Sequence, residues 1–255
     1  MTKLLPKVAA KALSEMTQGP LITTLQVAES SDAAKILLEI ENNNKLLAAT
    51  NGMTTRHCVA IFNTMDKDGI RTIMKKVDPT TAANIVLGMR WARCLFTLTN
   101  ADAEVAGQVL RQLSPSSLKS IMHRLATVVN VTILVAMSHA HAAVVVGQMQ
   151  QRDAIGTLLH PTMPSEKFCD IFTRLDEAVQ WKLFETHMSV TEAADALSKL
   201  TEGDAAALLE KTSRARFKAI FTVAPDRTSM AQIFLRMSPD RRIHYLSGRL
   251  WWQSD

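Results

Sequence analysis

Cys58, Cys94 and Cys169, with His123, His139 and His141, are the residues from which a metal or redox centre would have to be built, and their spacing builds none. Zinc takes three or four ligands that converge. His139 and His141 stand two apart, so on a helix they point in different directions, and only His123 lies nearby in sequence. The cysteines are widely separated, and free cysteine is most often a small buried hydrophobe. Acid pairs such as Asp176-Glu177 are adjacent rather than facing, and general acid–base chemistry needs titratable groups that converge in a pocket. The chain contains no glycine-rich phosphate loop, no nucleophile elbow and no His-Glu-x-x-His pair. The expectation is a protein that is not an enzyme, with no catalytic, cofactor-binding or metal-ligating residues.

Charge gives a stronger signal. Lys and Arg number 29 against 24 Asp and Glu, a net of +5 that suits a soluble protein and does not by itself require nucleic acid. Between Ser213 and Arg249, however, eight basic residues (Arg214, Arg216, Lys218, Arg227, Arg236, Arg241, Arg242, Arg249) face two acidic ones (Asp226, Asp240), so a local +6 exceeds the charge of the whole chain. Arg214, Arg216, Lys218, Arg241, Arg242 and Arg249 are therefore candidate partner-binding residues, joined by Trp251 and Trp252, a pair suited to anchoring an interface. The chemistry they offer is attraction to an acidic protein surface or to a nucleic-acid backbone. The plainer reading of the same residues is a solvated face.

The elements that position these residues follow from a repeat. Composition favours helix, with 47% hydrophobic but only 5% aromatic residues, drawn largely from Ala, Leu and Met. In twelve-residue units counted from Thr54, apolar residues recur at the fifth, eighth, ninth and twelfth places. Cys58, Ile61, Phe62 and Met65 are followed by Ile70, Ile73, Met74 and Val77, and the register holds through Ala142, Val145, Val146 and Met149. This i, i+3, i+4, i+7 spacing makes one stripe on a helix. Asp78-Pro79, Ser114-Pro115 and Ser238-Pro239 supply a capping side chain followed by proline at the first helical position. Helices this short do not persist alone, so they must stack, as right-angled or antiparallel pairs, into an all-α, right-handed α-solenoid with a repeat of about twelve residues.

The register predicts four parts. Residues 1–53, where it is poor, form N-terminal capping helices; 54–149 form a first array; 150–163, around Pro161 and Pro164, form a break or hinge; and 164–255 form a second array with the basic C-terminal end. Residues 125–151 lack Asp, Glu, Lys and Arg over a length that could span a bilayer, but the register runs through them unbroken, which predicts two buried central helices and no membrane span. The odd cysteine count and the absence of a signal-peptide pattern point to an intracellular, cytoplasmic protein.

Units of the type Val77-Asp78-Pro79-Thr80-Thr81-Ala82-Ala83-Asn84-Ile85-Val86-Leu87-Gly88-Met89 and Leu200-Thr201-Glu202-Gly203-Asp204-Ala205-Ala206-Ala207-Leu208-Leu209 resemble the N-terminal helical domain of the MgtE magnesium transporters, a superfamily related to the flagellar motor switch protein FliG. The resemblance spans residues 54 to 250. It implies a superhelix of short helices and a protein-contact role. Where that family carries acidic runs for magnesium sensing, this chain has Thr, Ser, Arg and Lys, and the regulatory modules and channel that follow in the family are not in this sequence.

The functional expectation is a non-catalytic α-solenoid scaffold that contacts other proteins of a multi-subunit assembly, with a ciliary, axonemal or organellar complex as a natural setting. A second reading is an RNA- or DNA-binding helical repeat protein, and a third is a soluble regulatory module derived from a magnesium-sensing domain.

Overall fold

Asp78 and Pro79 show how one unit is made. The Asp78 carboxylate accepts the backbone amides of Thr80 and Thr81, Pro79 opens the helix, and ten residues later the helix ends at Gly88. Met89 and Arg90 are then both extended, with ψ of 156° and 149°, and the next helix begins at Trp91. Ten helical residues and two extended ones make the period of twelve. The first-place residue is the cap, and the twelfth-place residue is the apolar side chain that turns the chain back into the core.

A computed structural model describes Val8, Lys11, Ala12 and residues 15–247. Among these it is all-helical, with nineteen short helices and no strand. They are α1 Gln18–Val27, α2 Ser30–Glu39, α3 Asn43–Gly52, α4 Thr55–Thr64, α5 Lys67–Met74, α6 Pro79–Gly88, α7 Trp91–Asn100, α8 Ala103–Arg111, α9 Pro115–Arg124 and α10 Thr127–Ala136. There follow α11 His139–Gln148, α12 Gln151–Leu158, α13 Ser165–Thr173, α14 Glu177–Trp181 continuing as a π-turn over Lys182–His187, α15 Val190–Lys199, α16 Glu202–Glu210, α17 Arg214–Val223, α18 Arg227–Arg236 and α19 Pro239–Leu246. The chain divides into two compact units, one of Met1–Leu125 with Thr132–Met137 and one of Ala126–Val131 with Ser138–Asp255, so α10 belongs partly to each.

Packing follows a next-but-one rule rather than the pairing of consecutive helices. In the first unit α1 packs on α3, α2 on α4, α4 on α6, α5 on α7 and α6 on α8. In the second, α11 packs on α13, α12 on α14, α13 on α15, α15 on α17, α16 on α18 and α17 on α19. Two extended residues are too few to fold one helix back along its predecessor, so each helix finds its flank on the one after next. The stripe places form the core: Ile70, Ile73 and Met74 are exposed by 1% or less, as are Ala106, Val109 and Leu110.

The stripe also continues where an apolar count misses it. In α3, Leu46, Ala49, Thr50 and Met53 occupy the same four places and are buried, and in α2 so do Ala33, Ile36, Leu37 and Ile40. Residues 150–163 carry α12, with Ala154, Thr157 and Leu158 buried in register and Met163 filling the last place two residues late, after the Pro161-Thr162 insertion. Threonine enters these slots because its hydroxyl donates to its own helix: Thr50 to Leu46 O at 3.0 Å, Thr157 to Asp153 O at 2.7 Å and Thr212 to Leu208 O at 3.2 Å. Extra residues are absorbed locally. Pro225 lies in a linker, whereas the thirteenth residue of 176–188 widens α14 into its π-turn and keeps Leu183, Phe184 and Met188 buried.

Two expectations need correction. Ser238 precedes proline as predicted, but its side chain caps nothing; its amide instead donates to the Glu210 carboxylate at 2.6 Å. The charge-free stretch is not explained by burial alone, since Val128, Val135 and Val144 are 51%, 38% and 59% exposed while only the inward stripe is covered. Among the described residues no helix is long and apolar enough to cross a membrane.

Candidate interaction surfaces

Two of the basic residues proposed from sequence, Arg216 and Arg241, turn inward. The Arg216 guanidinium donates to Phe184 O and, at 2.8 Å, to Met188 O, and it lies against the Glu185 carboxylate at 3.4 Å with both side chains largely covered. Arg241 donates to Glu210 O. Both therefore occupy the C-terminal end of an earlier helix, where the last carbonyls lack helical partners and the helix dipole is negative. Tyr245 completes the same cap on α16, its hydroxyl meeting Leu209 O at 2.8 Å and Thr212 O at 2.6 Å. Burial raises the Tyr245 phenol above its usual range, which keeps it a donor.

This is a positional rule. Arg216 and Arg241 stand at the fourth place of their units and reach the unit three before. Arg93, also at the fourth place, donates to Phe62 O and Met65 O of α4 and its cap. The fourth place faces the same way when it is not arginine. Thr81 donates to Asn51 Oδ1 at 2.6 Å, and a Cβ added at Gly69 would meet Leu38 at 3.3 Å. A second rule joins the second place of one unit to the eleventh of the next but one, through Glu177 with Lys211, through Glu202 with Arg236 at 3.1 Å, and through Trp91 beneath the Arg124 guanidinium at 4.6 Å. Arg93 and Arg124 were not singled out by the sequence, although an arginine at the fourth place marks the first rule.

Of the remaining candidates, Arg214 and Lys218 are brought together at one cavity with Ala215, Phe217 and Tyr245, and Arg214 reaches Tyr245 O at 3.4 Å. Arg242 is half-buried, its Nε covered and without a hydrogen-bond partner. Arg249, Trp251 and Trp252 lie outside the described residues.

Cys58 and Cys94 are buried and their thiols are pushed up to about 11 by desolvation, so at neutral pH they are protonated and weak as nucleophiles or ligands. Cys169 is partly exposed. His139 Nδ1 pairs with Asp170 Oδ2 at 2.9 Å, while His141 Nδ1 meets Ser138 Oγ at 2.6 Å, so the two rings serve different partners. Among the described residues no three His, Cys, Asp or Glu side chains gather as a metal ion would require. What does stand out is apolar exposure: Leu235 at 66% on α18, Ile243 at 63% on α19, Val144 at 59% on α11 and Trp91 at 47% on α7.

No known protein family, curated protein or solved structure matches the chain.

Proposed function

We propose that the chain is a non-catalytic helical-repeat scaffold, an intracellular subunit that holds other proteins of a larger assembly, and that within each unit its helices wind as a right-handed superhelix. The observation that carries the reading is the exposure of Leu235 and Val144 on helices whose stripes face inward, and of Ile243 on α19, where Tyr245 is the buried residue. These side chains add nothing to the core they face away from, and aliphatic groups left in water on a repeat surface suit burial against a partner. The basic cluster supports the same reading once its geometry is known, because Arg216 and Arg241 brace helix ends and leave fewer cations to attract a polyanion.

Affinity purification of the full chain from its native cells, with and without nuclease, tests this. Protein partners that survive nuclease and are weakened by Leu235→Glu with Ile243→Glu are the expected result. Nuclease stripping every partner would overturn the scaffold reading.

A further inference from the structure

The first unit carries a face built differently from the rest of the chain. From Pro79 to Leu125 the only acidic residues are Asp102 and Glu104, and Asp102 is held by Lys75 at 2.6 Å and by Arg71 at 3.9 Å. Helices α6, α7 and α9 contain no carboxylate at all, while Arg90, Arg111, Lys119 and Arg124 are exposed along the same stretch. Repeat helices are ordinarily solvated by both signs of charge, so the scarcity of one sign, with Asp102 paired and Glu104 the other carboxylate of the stretch, leaves α7 and α9 with cations alone.

Two of the chain's few aromatic rings lie on α7, Trp91 toward α9 and Phe96 on the side where Arg93 reaches α4. Trp91 is 47% exposed and Phe96 37% exposed, both on α7. Each ring carries an arginine on one face, Arg124 over Trp91 at 4.6 Å and Arg93 over Phe96 at 4.7 Å. The guanidinium holds the indole in place while much of its surface stays open to solvent. An exposed ring braced by a cation, on helices that carry no carboxylate, matches one ligand class in particular. An unpaired base stacks on the ring, and its phosphates meet Arg124 on that ring and the exposed Arg90 and Lys119 of the same stretch. An acidic peptide would meet the charge but offers no flat ring to stack, and a duplex keeps its bases stacked on one another.

We infer that the Trp91 face of α7 and α9 binds single-stranded nucleic acid by stacking a base on Trp91 and neutralising its backbone with Arg90, Lys119 and Arg124. This site is independent of the protein-contact faces on α11, α18 and α19, so either reading can fail while the other stands.

The test is fluorescence anisotropy of the full chain with a labelled oligouridylate of about 16 nucleotides, the same length of single-stranded DNA, and a duplex, at about 50 and 200 mM salt. Saturable binding of the single strands that weakens steeply with salt is expected. Trp91→Ala should lose about tenfold in affinity or more, while Trp91→Phe retains most of it. Relative affinity for RNA and DNA then reports whether the 2′-hydroxyl is read. Arg124→Gln and Lys119→Ala give the same readout should Trp91→Ala fail to fold. No binding at low salt, duplex bound as well as single strands, competition by polyglutamate as strong as by RNA, or affinity unchanged in the three variants would each overturn the inference.

Discussion

Arg216 shows what a single side chain does in this fold. It satisfies the closing carbonyls of α14 and neutralises Glu185 in a largely covered position, so Arg216→Met leaves both unpartnered and should cost about 2–3 kcal/mol in chemical denaturation, with Arg216→Lys recovering only part. A loss no larger than that of the exposed Arg227→Met would show that the guanidinium is not a brace. Thiol labelling makes a second residue-level prediction. Cys169 reacts first with a maleimide at neutral pH, and Cys58 and Cys94, with thiols near 11, react only as the chain unfolds. A third concerns acid. Burial pulls the Glu192 carboxyl upward, but bonds from Ser189 and Arg152 outweigh it and hold the group below its usual range. Its contribution is therefore complete above the unfolded carboxylate range and is lost as pH falls through the lower folded value. Melting in acid should show Ser189→Ala and wild type converging, after differing at neutral pH by about 1 kcal/mol.

At the scale of the element, the twelve-residue unit was legible because its signals agree: a cap, a stripe at helical spacing and a terminal apolar residue. The sequence hid the pattern in α3 and α12, where Thr50 and Thr157 fill core places by hydrogen bonding inside their own helix, and an apolar count scores them as breaks. The direction of the basic side chains was not legible either. Charge counting finds Arg216 and Arg241, but only the packing of units three apart shows that the fourth place meets an earlier helix end. Extra residues make the sharpest prediction here. Deleting one residue from Lys182–His187 converts a thirteen-residue unit into one of twelve and replaces the π-turn by regular helix, so it should be tolerated within about 1 kcal/mol. The same deletion inside α16 rotates the stripe residues away from the core and should prevent folding. Circular dichroism melts of the two deletions decide, and equal damage would contradict the account of the π-turn.

At the scale of the molecule, each helix answers mainly to neighbours two and three units away, so stability is a sum of local interfaces rather than the property of one core. Ile233→Asp should accordingly lower hydrogen-exchange protection through α16–α19 while α4–α8 keep theirs. Uniform loss across the chain would show cooperativity that local interfaces do not provide. The scaffold account rests on the faces those interfaces leave open. Hydroxyl-radical footprinting of the chain, free and within its nuclease-treated native assembly, reads them directly: Leu235, Ile243 and Val144, exposed in the structure, are expected to be labelled in the free chain and shielded in the assembly. Equal labelling of all three in both states would contradict the claim that these faces hold a protein partner.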